Sequence, residues 1–432
     1  MRVALLLALV LAGCGTRDTR PEIVIQRFFG ECGAVYGHST DVAHAETECG
    51  ILTAIINKFV ADNPGIRVKI NVIAWPGYPQ LAAQIAAGDP PDLVTMHQSV
   101  ISDYSGRGLL DPMDSVLAAA GITRAQFTDA GARGVIKGAY SYAMPWDTIA
   151  GLWHVNTALM AKAGLMVGDR PVLPRSPAEL LAQARAFRAA TGKPYFVQAQ
   201  VNDPATHVRN LYTYLLAQDA VIFPDARHVR LATPAARGIV ALFRAINAEG
   251  LTTTSQDFSA ATQSFMNGGG GIFPVGTWMI GAYDDEARQP GRPLYHHYAV
   301  VPYPRLWGHD AAFVDGHSWI MPHRARSPEK LAAISRFLAF LAAHNRDWTR
   351  TGHLPAFRAV LADPAFAAQA HRRDIAPVAA SGAQLPDYVE RQSAVQGLIG
   401  EELELAISGA KPVDTALADA ERRVDELLAQ IM

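Results

Sequence analysis

The sequence predicts an α/β protein made of two lobes. A chain of 432 residues exceeds the size at which one hydrophobic core keeps growing. Strand-like runs alternate with amphipathic helical runs from Glu22 onward, the pattern of a mainly parallel sheet. Half the residues are hydrophobic, enough to fill large cores.

The chain opens with Arg2, an apolar run from Val3 to Ala12, and Leu11-Ala12-Gly13-Cys14. This is the layout of a secretory signal, too short to span a bilayer, which takes roughly 20 residues. The four residues resemble a bacterial lipobox, so residues 1–13 are expected to be removed and Cys14 to carry lipid, palmitate included. The protein is then exported and held at the cell membrane by that anchor, on the periplasmic or extracellular side. Cys32 and Cys49 remain as an even pair in an exported chain, which predicts a disulfide. His38 and His44 lie between them without the close spacing of zinc ligands, and no metal site is expected.

Glu22-Ile-Val-Ile-Gln-Arg-Phe-Phe-Gly30 reads as a buried strand. Ile51, Leu52, Ile55, Ile56 and Phe59 recur at helical spacing, and Asn63-Pro64-Gly65 ends that helix. Ile66, Val68, Ile70 and Val72 then alternate as a second strand. A helix carrying Leu81 and Ile85 stops at Gly88, and Asp92 to Met96 forms a third strand. Later helices start at Ser176-Pro177, Thr233-Pro234, Ser327-Pro328 and Asp363-Pro364, a capping residue followed by proline at the first helical position. Ser176 with Glu179 also reads as a capping box. Gly268 to Gly271 lacks the Gly-Lys-Ser/Thr of a phosphate loop and precedes a strand, so it reads as a helix end and turn.

A net charge of -2 with 18% charged residues gives no bulk attraction to nucleic acid or anionic lipid. Enzyme signatures are missing. Gly316-His317-Ser318-Trp319-Ile320 approaches a nucleophile elbow, but Ile320 stands where a small residue is needed. No zinc-protease or deaminase pattern occurs, so neither a catalytic set nor a cofactor is expected.

Phe59, Asn63-Pro64-Gly65-Ile66, Trp75, Tyr78, Ile85-Ala86-Ala87-Gly88, Pro91-Asp92-Leu93-Val94 and Gly108 to Asp114 follow one another in the order of a known family. The series continues with Gly138 to Pro145, Leu152 to Asn156, Ala163-Gly164-Leu165, Gly276-Thr277-Trp278, Val301-Pro302-Tyr303-Pro304, Pro328-Glu329-Lys330 and Gly352-His353-Leu354-Pro355-Ala356. The chain resembles the family 1 extracellular solute-binding proteins, the maltose-binding-protein-like group that serves ABC importers. The Cys32 to Cys49 segment departs from that pattern.

The resemblance implies a type II-like periplasmic-binding-protein fold, with discontinuous lobes joined by crossover strands. The first lobe is expected over 14–145 and 298–342, the second over 146–297 and 343–432. It also implies a monomer that closes on a small solute, expected to be a sugar or short oligosaccharide, and passes it to permease subunits. Ligands of open α/β sheets lie beyond the carboxyl ends of strands, and a pyranose wants aromatic faces with a polar rim. Trp75, Tyr78, His97, Gln98, Ser99, Trp146, Asp147, Gly276 and Trp278 are the main candidates, with Tyr36, Asp203, His207, His317, Trp319, His353 and Arg358 added. Three alternatives stay open: a binding protein for a polyamine or organic phosphate, a module that presents its ligand to a membrane receptor, and a lipid-anchored hydrolase.

Overall fold

The computed structural model describes residues 18–201 and 203–430. The expected signal and Cys14 lie outside them. Two large sheets form, beside two short two-stranded ones, and separate apolar clusters pack against each large sheet. In the first, Glu22–Arg27 is flanked in parallel by Arg67–Val72 and Leu93–His97. The sheet continues through His317–Ile320, antiparallel to Leu93–His97, to Ala143–Pro145. The helix Thr47–Asp62 covers it, burying Ile51, Leu52, Ile55, Ile56 and Phe59, and Asn63 caps the helix end.

The second sheet is organised by Asp147–Asn156, ten residues that are all buried. Its partners are Ile272–Gly276, Tyr298–Pro302, Ala312–Asp315 and Leu354–Pro355, all antiparallel. A strand buried on every side must read as continuously apolar or carry paired polar groups. Here His154 is held by Tyr298 Oη (2.7 Å) and the Gly276 carbonyl (3.2 Å).

The chain passes from the first sheet to the second at Trp146 and returns at Gly316. The return was expected at 298. Tyr298–Pro302 and Ala312–Asp315 instead pair with Asp147–Asn156, so the first sheet resumes only with His317. The later boundary shifts too, since Trp348, Ala356 and Phe357 pack in the first core. Helices Gln392–Ser408 and Val413–Ala429 close the second core.

Ser176, Thr233, Ser327 and Asp363 each cap a helix by accepting a backbone N–H. The box at Ser176 is half formed, because Glu179 reaches the backbone of Arg175 instead (2.7 Å). Gly268 to Gly271 lies between the helix Phe258–Met266 and the strand Ile272–Gly276, as the turn reading required. Cys32 and Cys49 form the expected disulfide, with Cα atoms 6.0 Å apart. Arg350 holds the loop inside it by donating to the carbonyls of Val42, Ala43 and Ala45. Among the described residues no helix is long and apolar enough to cross a membrane.

Candidate functional site

The carboxyl ends of the first-sheet strands meet the two crossings, and there the aromatic and polar side chains converge. Phe28 and Phe29 follow the first strand, Trp75 the second and His97 the third. Trp75 is two-thirds exposed (66%), unusual for an indole unless it serves a surface. Its Nε1 donates to His97 Nε2 at 3.1 Å. That bond makes Nε2 an acceptor, so the His97 proton sits on Nδ1, facing the Asp315 carboxylate at 3.3 Å. Asp315 also accepts from the Ser99 backbone (3.0 Å) and hydroxyl (2.7 Å). Burial alone would raise the Asp315 carboxyl, but His97 and Ser99 outweigh it and hold it below the usual range. Phe28 stacks on His97 with centroids 5.6 Å apart, and Tyr78 accepts the His97 N–H through its hydroxyl (3.1 Å). The Trp75 ring is thus fixed on a rigid platform with its face open.

Behind this platform lies the hinge. Asp147 is fully buried and accepts from the His317 backbone (2.8 Å), His317 Nδ1 (2.9 Å) and Trp348 Nε1 (2.7 Å). Burial opposes its charge, yet His317, His353 and these bonds hold it at about 2. His353 is also buried, with Nε2 2.7 Å from Glu48 and Nδ1 3.1 Å from Thr277 Oγ1. Burial works against its protonation, but Asp147 and Glu48 win and raise it. One ligand-type atom from each of Glu48, His317 and His353 lies within 4.8 Å of the others. Gln98 spans the crossings, donating to the Asp147 carbonyl (3.3 Å) and accepting from Gln384 (2.7 Å).

On the second lobe, Trp278 follows the strand Ile272–Gly276 and lies half-buried with the Arg209 guanidinium 5.6 Å from its ring centroid. Asp203 steadies Arg209 at 3.7 Å.

The structure therefore gathers Trp75, Tyr78, His97, Gln98, Ser99, Asp147, His317 and His353 at the crossings, and sets Trp278, Gly276 and Asp203 on the second lobe. Other candidates go elsewhere. Trp146 and Trp319 are fully buried, Trp146 against Trp348 and Trp319 against Phe337, so neither can touch a solute. Asp147 is committed to His317 and Trp348, and His353 to Glu48 and Thr277, so these buried groups hold the crossings together rather than face a solute. Tyr36 serves the disulfide segment, its hydroxyl accepting from Glu46 (3.2 Å). Arg358 pairs with exposed Asp129 (2.6 Å). His207 is buried, and burial pushes it down to about 4, so it stays neutral.

Phe28, Phe29, Glu48, Arg209, Asp315 and Trp348 were missed. The two phenylalanines carried a usable signal, since they sit just past a strand end, and Arg209 lies in the same helix as His207; Glu48, Asp315 and Trp348 are brought in only by long-range packing.

The chain matches the bacterial extracellular solute-binding protein family over residues 46–344, more than half its length. No curated protein sequence matches it significantly. The GacH receptor of Streptomyces glaucescens, solved unliganded and with acarbose, shares its fold at a TM-score of 0.78 and 16% identity, over 95% of this chain and 100% of that one. The sugar-binding protein MalE of Xanthomonas citri gives 0.75 at 18%, over 95% and 98%. The cyclic alpha-maltosyl-1,6-maltose binding protein of Arthrobacter globiformis gives 0.71 at 21%, over 94% and 99%. Two lobes with crossing strands, a Trp platform at the crossings and this family match lead to one conclusion: the chain belongs to the bacterial extracellular solute-binding proteins, with a maltose-binding-protein-like fold.

Proposed function

We propose that this protein binds a sugar or short oligosaccharide between its lobes and delivers it to the permease of an ABC importer, anchored to the membrane through lipid on Cys14. The observation that carries the reading is Trp75: an exposed indole, held by its own N–H on His97, offers an apolar face beside a polar rim. Trp278, half-buried with Arg209 over its ring, supplies a second aromatic group with a cation beside it from the other lobe. Solved proteins of this fold that bind acarbose or maltosyl sugars support the same class of ligand. Binding is stoichiometric and needs no cofactor; closure follows because the solute touches both lobes only when they meet.

The test is a thermal-shift screen of the mature protein against mono-, di- and oligosaccharides, polyamines and organic phosphates. A saccharide at a hundredfold excess over Kd should stabilise by about 2.7 kcal/mol. Trp75→Ala should cut that saccharide's affinity about tenfold or more while leaving the unliganded Tm within a degree or two. Hits confined to charged ligands, or consumption of the saccharide, would replace this reading with a different solute or a hydrolase.

A further inference from the structure

We infer that Glu48, His317 and His353 form a binding site for a divalent transition ion of the zinc class, bridging the two lobes behind the solute cleft. Two imidazoles and a carboxylate are a donor set that zinc accepts with a fourth position left open. Their three ligand-type atoms lie within 4.8 Å of one another. A tetrahedral ion with bonds of about 2.0–2.1 Å wants them about 3.3 Å apart, a contraction that side-chain rotation supplies.

The arrangement around the three side chains is more specific than their proximity. His317 gives its Nδ1 proton to Asp147 (2.9 Å), which leaves the Nε2 lone pair for a metal. His353 has Thr277 Oγ1 at its Nδ1 (3.1 Å) and turns Nε2 toward Glu48 (2.7 Å). Each imidazole is thus oriented through its far nitrogen, as metal-bound histidines usually are. Both are buried, and aromatic rings wall the group: Phe29 meets His317 edge-on at 5.0 Å and Trp348 stacks on His353 at 5.5 Å. Charge favours the same ion. Asp147 and Glu48 set two carboxylates against the two imidazoles, at 2.9 Å from His317 and 2.7 Å from His353, and a dication among them is balanced by both.

The site also joins separate parts of the chain. Glu48 sits in the first turn of Thr47–Asp62, next to disulfide-bonded Cys49, in the first lobe. His353 follows Gly352, whose positive φ (116°) and contact with the Thr277 carbonyl admit no side chain, and it is tied to Thr277 of the second lobe. An ion here fixes the lobes near one relative orientation, whichever solute the cleft holds.

The experiment uses mature protein stripped with EDTA and titrated with Co²⁺ and then Zn²⁺. One equivalent of Co²⁺ should give visible d–d absorption that Zn²⁺ displaces, with about one proton released per ion and an EDTA-reversible rise in Tm. Glu48→Gln and His353→Gln, each checked for native circular dichroism, should weaken Co²⁺ binding at least tenfold. Absence of both the absorption and the reversible Tm rise in the unaltered protein overturns the inference, as does undiminished affinity in the two variants. Saccharide titrations run in EDTA and in Zn²⁺ keep the outcome separate from that of the sugar reading.

Discussion

Gly276 and Trp278 act as one unit. A Cβ on Gly276 would stand 1.8 Å from the Trp278 ring, so the indole lies back on the strand only because residue 276 has no side chain. Gly276→Ala should therefore push the ring off its seat and weaken saccharide binding about tenfold, some 1.4 kcal/mol, close to the effect of Trp278→Ala; titration calorimetry on the two variants checks it, and an unchanged Kd would remove Trp278 from the site. Trp319 argues the opposite case. It shares a face of the strand His317–Ile320 with His317, since side chains alternate with period two. His317 is at the strand end beside the crossings, while Trp319 is one pair deeper, opposite Thr95. Trp319→Ala should cost about 3–5 kcal/mol of stability, read from urea midpoints, and leave the affinity of the folded fraction unchanged. Residue type was legible in the sequence at both positions; depth along the strand was not, and depth decides which aromatic meets solvent.

At the level of elements, local signals were read well and non-local ones poorly. The four capped helices and the stop at Asn63-Pro64-Gly65 depend on neighbours a few residues away, and they stand where expected. The placement of Tyr298–Pro302 and Ala312–Asp315 depends on antiparallel pairing with a strand some 150 residues earlier, which no local pattern encodes. The Cys32–Cys49 segment lies between these cases: its pairing was legible, but the Arg350 clamp from the far end of the chain was not. Closing this loop, with a sequence separation of 17, stabilises by about 3 kcal/mol in the chain-entropy model. Replacing both cysteines by serine should lower stability by roughly that amount. It should also loosen residues 38–48 first, seen as faster amide exchange there than in the sheet strands; uniform exchange would show that Arg350 alone holds the loop.

For the molecule as a whole, the buried histidines set how stability depends on pH. His154 donates to the Gly276 carbonyl and accepts from Tyr298, a pattern that suits only neutral imidazole, and burial pushes it down to about 3. His207 is pushed down to about 4 by burial. Both lie below the unfolded value of about 6.5, so as pH falls through 6.5 the unfolded chain takes up protons that the folded chain refuses, and stability drops. Asp103 works the other way: burial raises it to about 6, so the folded state takes up its proton first and gains stability between about pH 6 and 4. His353, raised by its carboxylate neighbours, contributes fully below pH 6.5 and loses its contribution only as pH rises through its folded value. Taken by themselves, these three groups (two protons against one) contribute a net uptake of about one on unfolding between pH 6 and 5, about 1.4 kcal/mol per pH unit. His154→Gln removes one of the two and should lower the slope by about 1.4 kcal/mol per pH unit across that window, whatever it does to absolute stability. Urea midpoints at pH 6.0, 5.5, 5.0 and 4.5 for both proteins decide the matter. Parallel profiles in the two proteins would mean that His154 is protonated in the folded state, and that the strand Asp147–Asn156, which carries His154 through the centre of the second sheet, opens to water.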